Sequence, residues 1–164
     1  MPRTIPVGQA AEAFFAHSRV AVVGVSRGGG SPANAIADKL RDNGHTVFLV
    51  NPHVEIIGRH PCYPTVDAVP GGVEAVVAVT PAAASADVAR QAAHAGATWI
   101  WFHQGFGPVS YDPAGVEAAR DAGLNVLAMG CPMMYLDPDV FHACARTVFK
   151  WTGRIPRSVE LADV

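Results

Sequence analysis

An apolar run at residues 20–23 stops at Gly24, and a glycine-heavy turn follows through Ser26, Arg27, Gly28, Gly29 and Gly30. Ser31 has the character of a helix N-cap and Pro32 that of a first helical residue. Such a strand, turn and helix start can seat a phosphate. Free backbone N–H groups and the partial positive charge of the helix face the turn, and small residues let an anion approach. Gly24, Ser26 and Gly29 stand at the spacing of the G-x-G-x-x-G dinucleotide fingerprint, with Ser in the middle place. A glycine-rich turn also arises for steric reasons alone. Its place between the first strand and first helix of a βαβ unit favours phosphate binding. Arg27 is the permanent cation of the turn and suits a charge-assisted phosphate contact, against its plainer reading as a solvated loop arginine.

The type of nucleotide turns on the end of the second strand. An NAD site places a carboxylate there for the ribose hydroxyls. Here the position reads Val50-Asn51-Pro52-His53, with no acid. An NADP site would need a basic cluster, and only His53 and the more distant Arg59 are at hand. Ordinary nicotinamide use is therefore disfavoured. His103, at the end of the fourth strand, carries a switchable charge suited to acid–base work, but spacing places no second catalytic group beside it. A structural histidine is the stronger reading. Cys131, before Pro132, reads more readily as an inert residue at a strand end than as a reactive thiol. Met133, Met134 and Tyr135 read as packing under the last helix. His142 and Cys144, two apart on a helical stretch, face different ways and define no metal site. No residue is assigned a catalytic role.

These groups need elements to position them. Residues 9–17 read as a short helix packing Phe14 and Phe15 onto a sheet. Strands are expected at 19–24, 46–50, 74–80, 98–102 and 125–129, and helices at 32–43, 85–95, 114–122 and 138–151, the last capped by Asp137. Between the second and third of these strands lies an irregular stretch with a short extra strand at 55–57 and a helical turn at 65–69. Short, continuous apolar strands alternating with helices mean a parallel sheet covered on both faces. The expectation is an α/β fold, Rossmann-like and doubly wound, with a mainly parallel five-stranded sheet in three αβα layers and one domain over 1–164. Trp99 and Trp101 alternate within a strand and so face one side. In such sheets ligands bind beyond the carboxyl ends of the strands. Those ends are Gly24 to Gly30, Asn51 to His53, Thr80-Pro81, His103 to Gly105, and Gly130 to Pro132.

The chain has 164 residues, half of them hydrophobic and 16% charged, with a net charge of −2. That is a core-rich domain with no basic excess for nucleic acid. No apolar stretch reads as a signal peptide or a membrane span, so a cytoplasmic protein is expected. Three cysteines, far apart and odd in number, argue for reduced thiols. Open strand edges and Met- and Phe-rich surfaces make a homodimer an expectation.

The segments AVVGVSRGGGSP, NGHTVFLVNP and EIIGRHPCYPTVDAVP, in that order, resemble the CoA-binding domain family. These are small Rossmann-type proteins, similar also to the N-terminal domain of the succinyl-CoA synthetase alpha subunit. The similarity continues through TWIWFHQGFG and GCPMMY to about residue 156. Common members carry W-x-Q-x-G after the fourth strand, whereas here His103 takes the Gln place and Gln104 stands beside it. The resemblance implies a ligand, coenzyme A or an acyl-CoA, bound without catalysis. Its diphosphate would meet Gly24, Ser26, Arg27 and Gly29. Val50, Asn51, Pro52, Thr80 and Pro81 would flank the adenosine end. His103, Gln104 and Gly105 would lie along the cleft, with Cys131 near the pantetheine sulfur. The alternative is an NAD(P)(H)-binding redox sensor or small oxidoreductase. A catalytic acyl-CoA enzyme using His103 or Cys131 is the least supported reading.

Overall fold

Successive side chains of a strand point to opposite faces of its sheet, and in this chain both faces are apolar. The computed structural model describes residues 2–163. In chain order its elements are β1 (Thr4–Pro6), α1 (Val7–Phe15), β2 (Arg19–Val23), α2 (Pro32–Asp42), β3 (Thr46–Val50), β4 (Ile56–Ile57), β5 (His60–Tyr63), β6 (Ala75–Ala78), α3 (Ser85–His94), β7 (Trp99–Phe102), α4 (Pro113–Asp121), β8 (Asn125–Ala128), α5 (Val140–Trp151) and β9 (Ser158–Glu160). Val20, Val22, Val77 and Trp101 lie in one core cluster with residues of α1, α2 and α5. Ala21, Val23, Val76 and Ile100 lie in a second with residues of α3 and α4. The sheet is the middle of three layers.

The main sheet has seven strands in the order β4-β5-β3-β2-β6-β7-β8. All neighbours in it are parallel except the antiparallel β4–β5 pair. The order reverses at β2, with β3 on one side and β6 on the other, so the crevice of a doubly wound fold opens at the end of β2. The five expected strands form the parallel centre. The sheet has seven strands and not five: β4 is the short extra strand expected at 55–57, and β5 is the unexpected one. In β5 only Cys62 is buried and Pro61 interrupts the run, so this strand has no apolar signature. Its pairing with Leu49 and Val50 of β3 makes it a strand. A separate two-stranded sheet joins β1 to β9.

Helix α2 starts as its sequence signals require. The Ser31 hydroxyl accepts from the Asn34 N–H at 3.3 Å, and Pro32 is the first helical residue. Helix α5 starts two residues later than expected, and its cap is corrected from Asp137 to Asp139. The Asp139 carboxylate accepts from the His142 N–H at 2.8 Å. Asp137 instead adopts a positive φ of 43° and pairs with Lys39 at 3.2 Å. Trp99 and Trp101 do share one face. The Trp101 indole donates to the Met129 carbonyl at 2.7 Å and packs edge-on against Phe14, with ring centroids 5.4 Å apart.

Candidate functional site

Beyond the carboxyl ends of β2, β6, β7 and β8 lies a cleft of about 990 Å³. Its floor and walls come from the start of α2 (Gly30, Ser31), the loop after β6 (Thr80, Pro81), the loop after β7 (His103, Gly105 to Ser110), the segment after β8 (Cys131, Met133, Met134) and the first turn of α5 (Phe141, His142). The lining is mostly apolar, with a few convergent polar groups.

The turn between β2 and α2 is held from two sides. The Asn34 carboxamide accepts from the Ser26 N–H and donates to the Ser26 carbonyl, both at 2.8 Å. The Asn51 carboxamide donates to the Val25 carbonyl at 2.7 Å and accepts from the His53 N–H at 2.8 Å. Gly24 has φ +99°, and a Cβ there would overlap the Val79 carbonyl, so the end of β2 can lie against the end of β6 only with glycine. Its N–H donates to the Val50 carbonyl at 3.0 Å. The amides of Gly30 and Ser31, two residues that line the cleft, donate to no oxygen among the described residues. Unpaired amides at a helix start can receive an anion.

The structure thus divides the residues named from sequence. Thr80, Pro81, His103, Gly105 and Cys131 line the cleft together. Gly24, Ser26 and Asn51 use their polar groups to frame the turn, and Val50 turns its side chain into the core. Arg27 is exposed and borders a separate shallow depression with Pro52, His53 and Glu55. Gly29 lies on a small pocket against α2, with Asp38 and Arg41. Gln104 donates its backbone N–H to Gly130 at 2.8 Å, and its side chain accepts from the Tyr111 hydroxyl at 3.4 Å.

Burial governs the reactive groups of the cleft. His103 is 8% exposed, its ring rests over Gly105, and burial holds it below the usual histidine range. Burial pushes the Cys131 thiol up to about 11, so it stays protonated at neutral pH. The Thr80 hydroxyl is buried with no hydrogen-bond partner among the described residues.

Residues not singled out for the site beforehand also matter. Asn34 is the brace of the turn, and its place three residues after Ser31 was the available signal. Phe106 and Phe141 meet at the lip of the cleft with centroids 6.1 Å apart. His142 reaches the cleft with its Nδ1 held 2.9 Å from the Asp139 carboxylate. The pattern Asp-x-x-His at a helix start is the readable trace of that pair.

A parallel sheet whose order reverses at β2, with an open helix start beside a largely apolar cleft, defines a Rossmann-type domain of the kind that takes nucleotides. Residues 18–137 match the CoA binding domain family, and the chain belongs to it. An ADP-forming acetate–CoA ligase of Archaeoglobus fulgidus is 39% identical over 71 residues, which are 43% of this chain and 10% of the ligase. The chain therefore corresponds to a small part of that relative's length. A hypothetical protein from Pyrococcus horikoshii OT3 superposes with a TM-score of 0.72 at 26% identity, over 84% of this chain and 97% of that one. The dinucleotide-forming acetyl-coenzyme A synthetase 1 of Ca. Korarchaeum cryptofilum, solved with phosphate and ADP, superposes with a TM-score of 0.58 at 26% identity, over 70% of this chain and 26% of that one. Among the described residues, no helix is long and apolar enough to cross a membrane.

Proposed function

We propose that the cleft binds coenzyme A or an acyl-CoA and that the domain performs no catalysis of its own. The observation that carries the reading is the pairing of family membership with the unpaired amides of Gly30 and Ser31, two residues that line a mostly apolar cleft. The diphosphate sits at those amides, aided by the helix start. The adenosine end lies toward Arg27, Pro52 and His53, where the guanidinium is exposed and available for a phosphate. The pantetheine arm follows Thr80, Pro81, His103 and Gly105 toward Cys131. Two features support a binding role without chemistry: burial disfavours the charged form of His103, and the Cys131 thiol is protonated. The nicotinamide alternative lacks support, since the end of β3 offers no carboxylate and the Asn51 carboxamide is already engaged with Val25.

Thermal-shift and calorimetric titrations with CoA, acetyl-CoA, NADH and NADPH test the assignment. A ligand at a hundredfold excess over its Kd stabilises the fold by about 2.7 kcal/mol. CoA and acetyl-CoA are expected to raise the midpoint and the reduced nicotinamides to leave it unchanged. A shift with NADH and none with CoA overturns the reading.

A further inference from the structure

Helix α5 opens on a clamped histidine. The Asp139 carboxylate accepts from the His142 main-chain N–H at 2.8 Å, and both of its oxygens lie 2.9 Å from the His142 Nδ1. One carboxylate therefore caps the helix and fixes the ring together. Those contacts hold Asp139 below the usual carboxylate range, so the clamp is an ionised acceptor. The Phe141 ring packs edge-on against the imidazole, with centroids 5.3 Å apart. The His142 side chain is 17% exposed and lines the cleft.

The clamp decides what the ring offers a ligand. With Nδ1–H directed at the carboxylate, the neutral imidazole keeps its other nitrogen, Nε2, as an acceptor. Nε2 has no hydrogen-bond partner among the described residues and is not sealed from solvent. Other polar side chains of the cleft are less free. The Ser31 hydroxyl already donates to the Asn34 carboxamide at 2.7 Å, and the His103 ring is buried. A pantetheine arm brings amide N–H and hydroxyl donors into this mostly apolar cleft. Each needs an acceptor there, because a donor buried without one is costly. We infer, resting on the reading that the cleft takes coenzyme A, that His142 is the specificity contact for the pantetheine arm. Its Nε2 accepts from an amide or hydroxyl of the arm, and Asp139 is the positioning residue behind it.

Calorimetric titration of the full chain with CoA and with 3′-phosphorylated ADP, which lacks the arm, tests this. The parent should bind both. His142→Phe removes the acceptor and keeps a flat ring in place. It is expected to lose about tenfold in CoA affinity, the size of one hydrogen bond to a desolvated donor, and to bind 3′-phosphorylated ADP as the parent does. His142→Gln, whose amide oxygen is again an acceptor, should recover part of the loss. Asp139→Ser keeps a helix cap but is too short to hold the ring, and should weaken CoA by a smaller factor. Long-range nitrogen–proton correlation spectra at mildly alkaline pH should show His142 as the Nδ1–H tautomer in the parent and as a mixture in Asp139→Ser. A parent that binds neither ligand removes the coenzyme A reading itself, and the role of His142 with it. A parent that binds CoA while His142→Phe keeps full affinity, or loses both ligands alike, overturns the role of His142 alone.

Discussion

Asn34 and Ser26 are paired in both directions, one carboxamide satisfying the N–H and the C=O of a single residue at 2.8 Å each. The same Asn34 oxygen accepts from the Ser31 hydroxyl at 2.7 Å. The turn and the helix cap are therefore one hydrogen-bonded unit. It fixes the chain on both sides of Gly30.

Asn34→Ala should cost about 2 kcal/mol of stability, because two main-chain groups of a half-buried turn lose their partner. It should also weaken CoA binding without altering any residue that lines the cleft. Denaturant unfolding and calorimetric titration check the two effects separately. Unchanged stability would mean that water replaces the carboxamide without loss.

Thr80→Val removes a buried hydroxyl that has no partner among the described residues. The ligand-free protein should gain about 1 kcal/mol, since an unsatisfied polar group is replaced by an apolar one of the same shape. CoA affinity should fall in the same variant if the hydroxyl meets the ligand. A more stable protein with unaltered affinity would assign Thr80 to the wall alone.

Burial places the folded-state pKa of His103 below the ordinary 6.5. The unfolded chain then takes up this proton first as pH falls. Stability from a neutral, buried His103 is complete above pH 6.5 and is lost as pH falls from there through the lowered value. Proton NMR titration should give His103 a midpoint below 6.5. His103→Gln should flatten the acid side of the stability profile relative to the parent protein.

The three free cysteines differ in exposure: Cys144 is exposed, and Cys62 and Cys131 are buried. Burial raises both of the latter, Cys131 to about 11. Iodoacetamide near neutral pH should modify Cys144 rapidly and the other two only on unfolding, as mass spectrometry of the labelled peptides would record. Fast labelling of Cys131 would contradict its protonated, enclosed state.

Much of this protein is written locally. The apolar runs at β2, β3, β6, β7 and β8 declare buried parallel strands, because a strand covered on both faces must be apolar on both. Ser31-Pro32 declares the start of α2, because a hydroxyl cap and a preset φ act within one turn of chain. The family was legible for the same reason, in segments where turn chemistry and strand ends are contiguous in sequence. What only the tertiary structure decided were relations between distant residues. Cys62 and its neighbours are a strand because Leu49 and Val50 of β3 accept them as one. Gly24 is required because the Val79 carbonyl arrives from another strand. Asn51 braces Val25 across 26 positions. The Gly24 and Ser26 amides find acceptors in Val50 and Asn34, far along the chain, whereas those of Gly30 and Ser31 find none among the described residues.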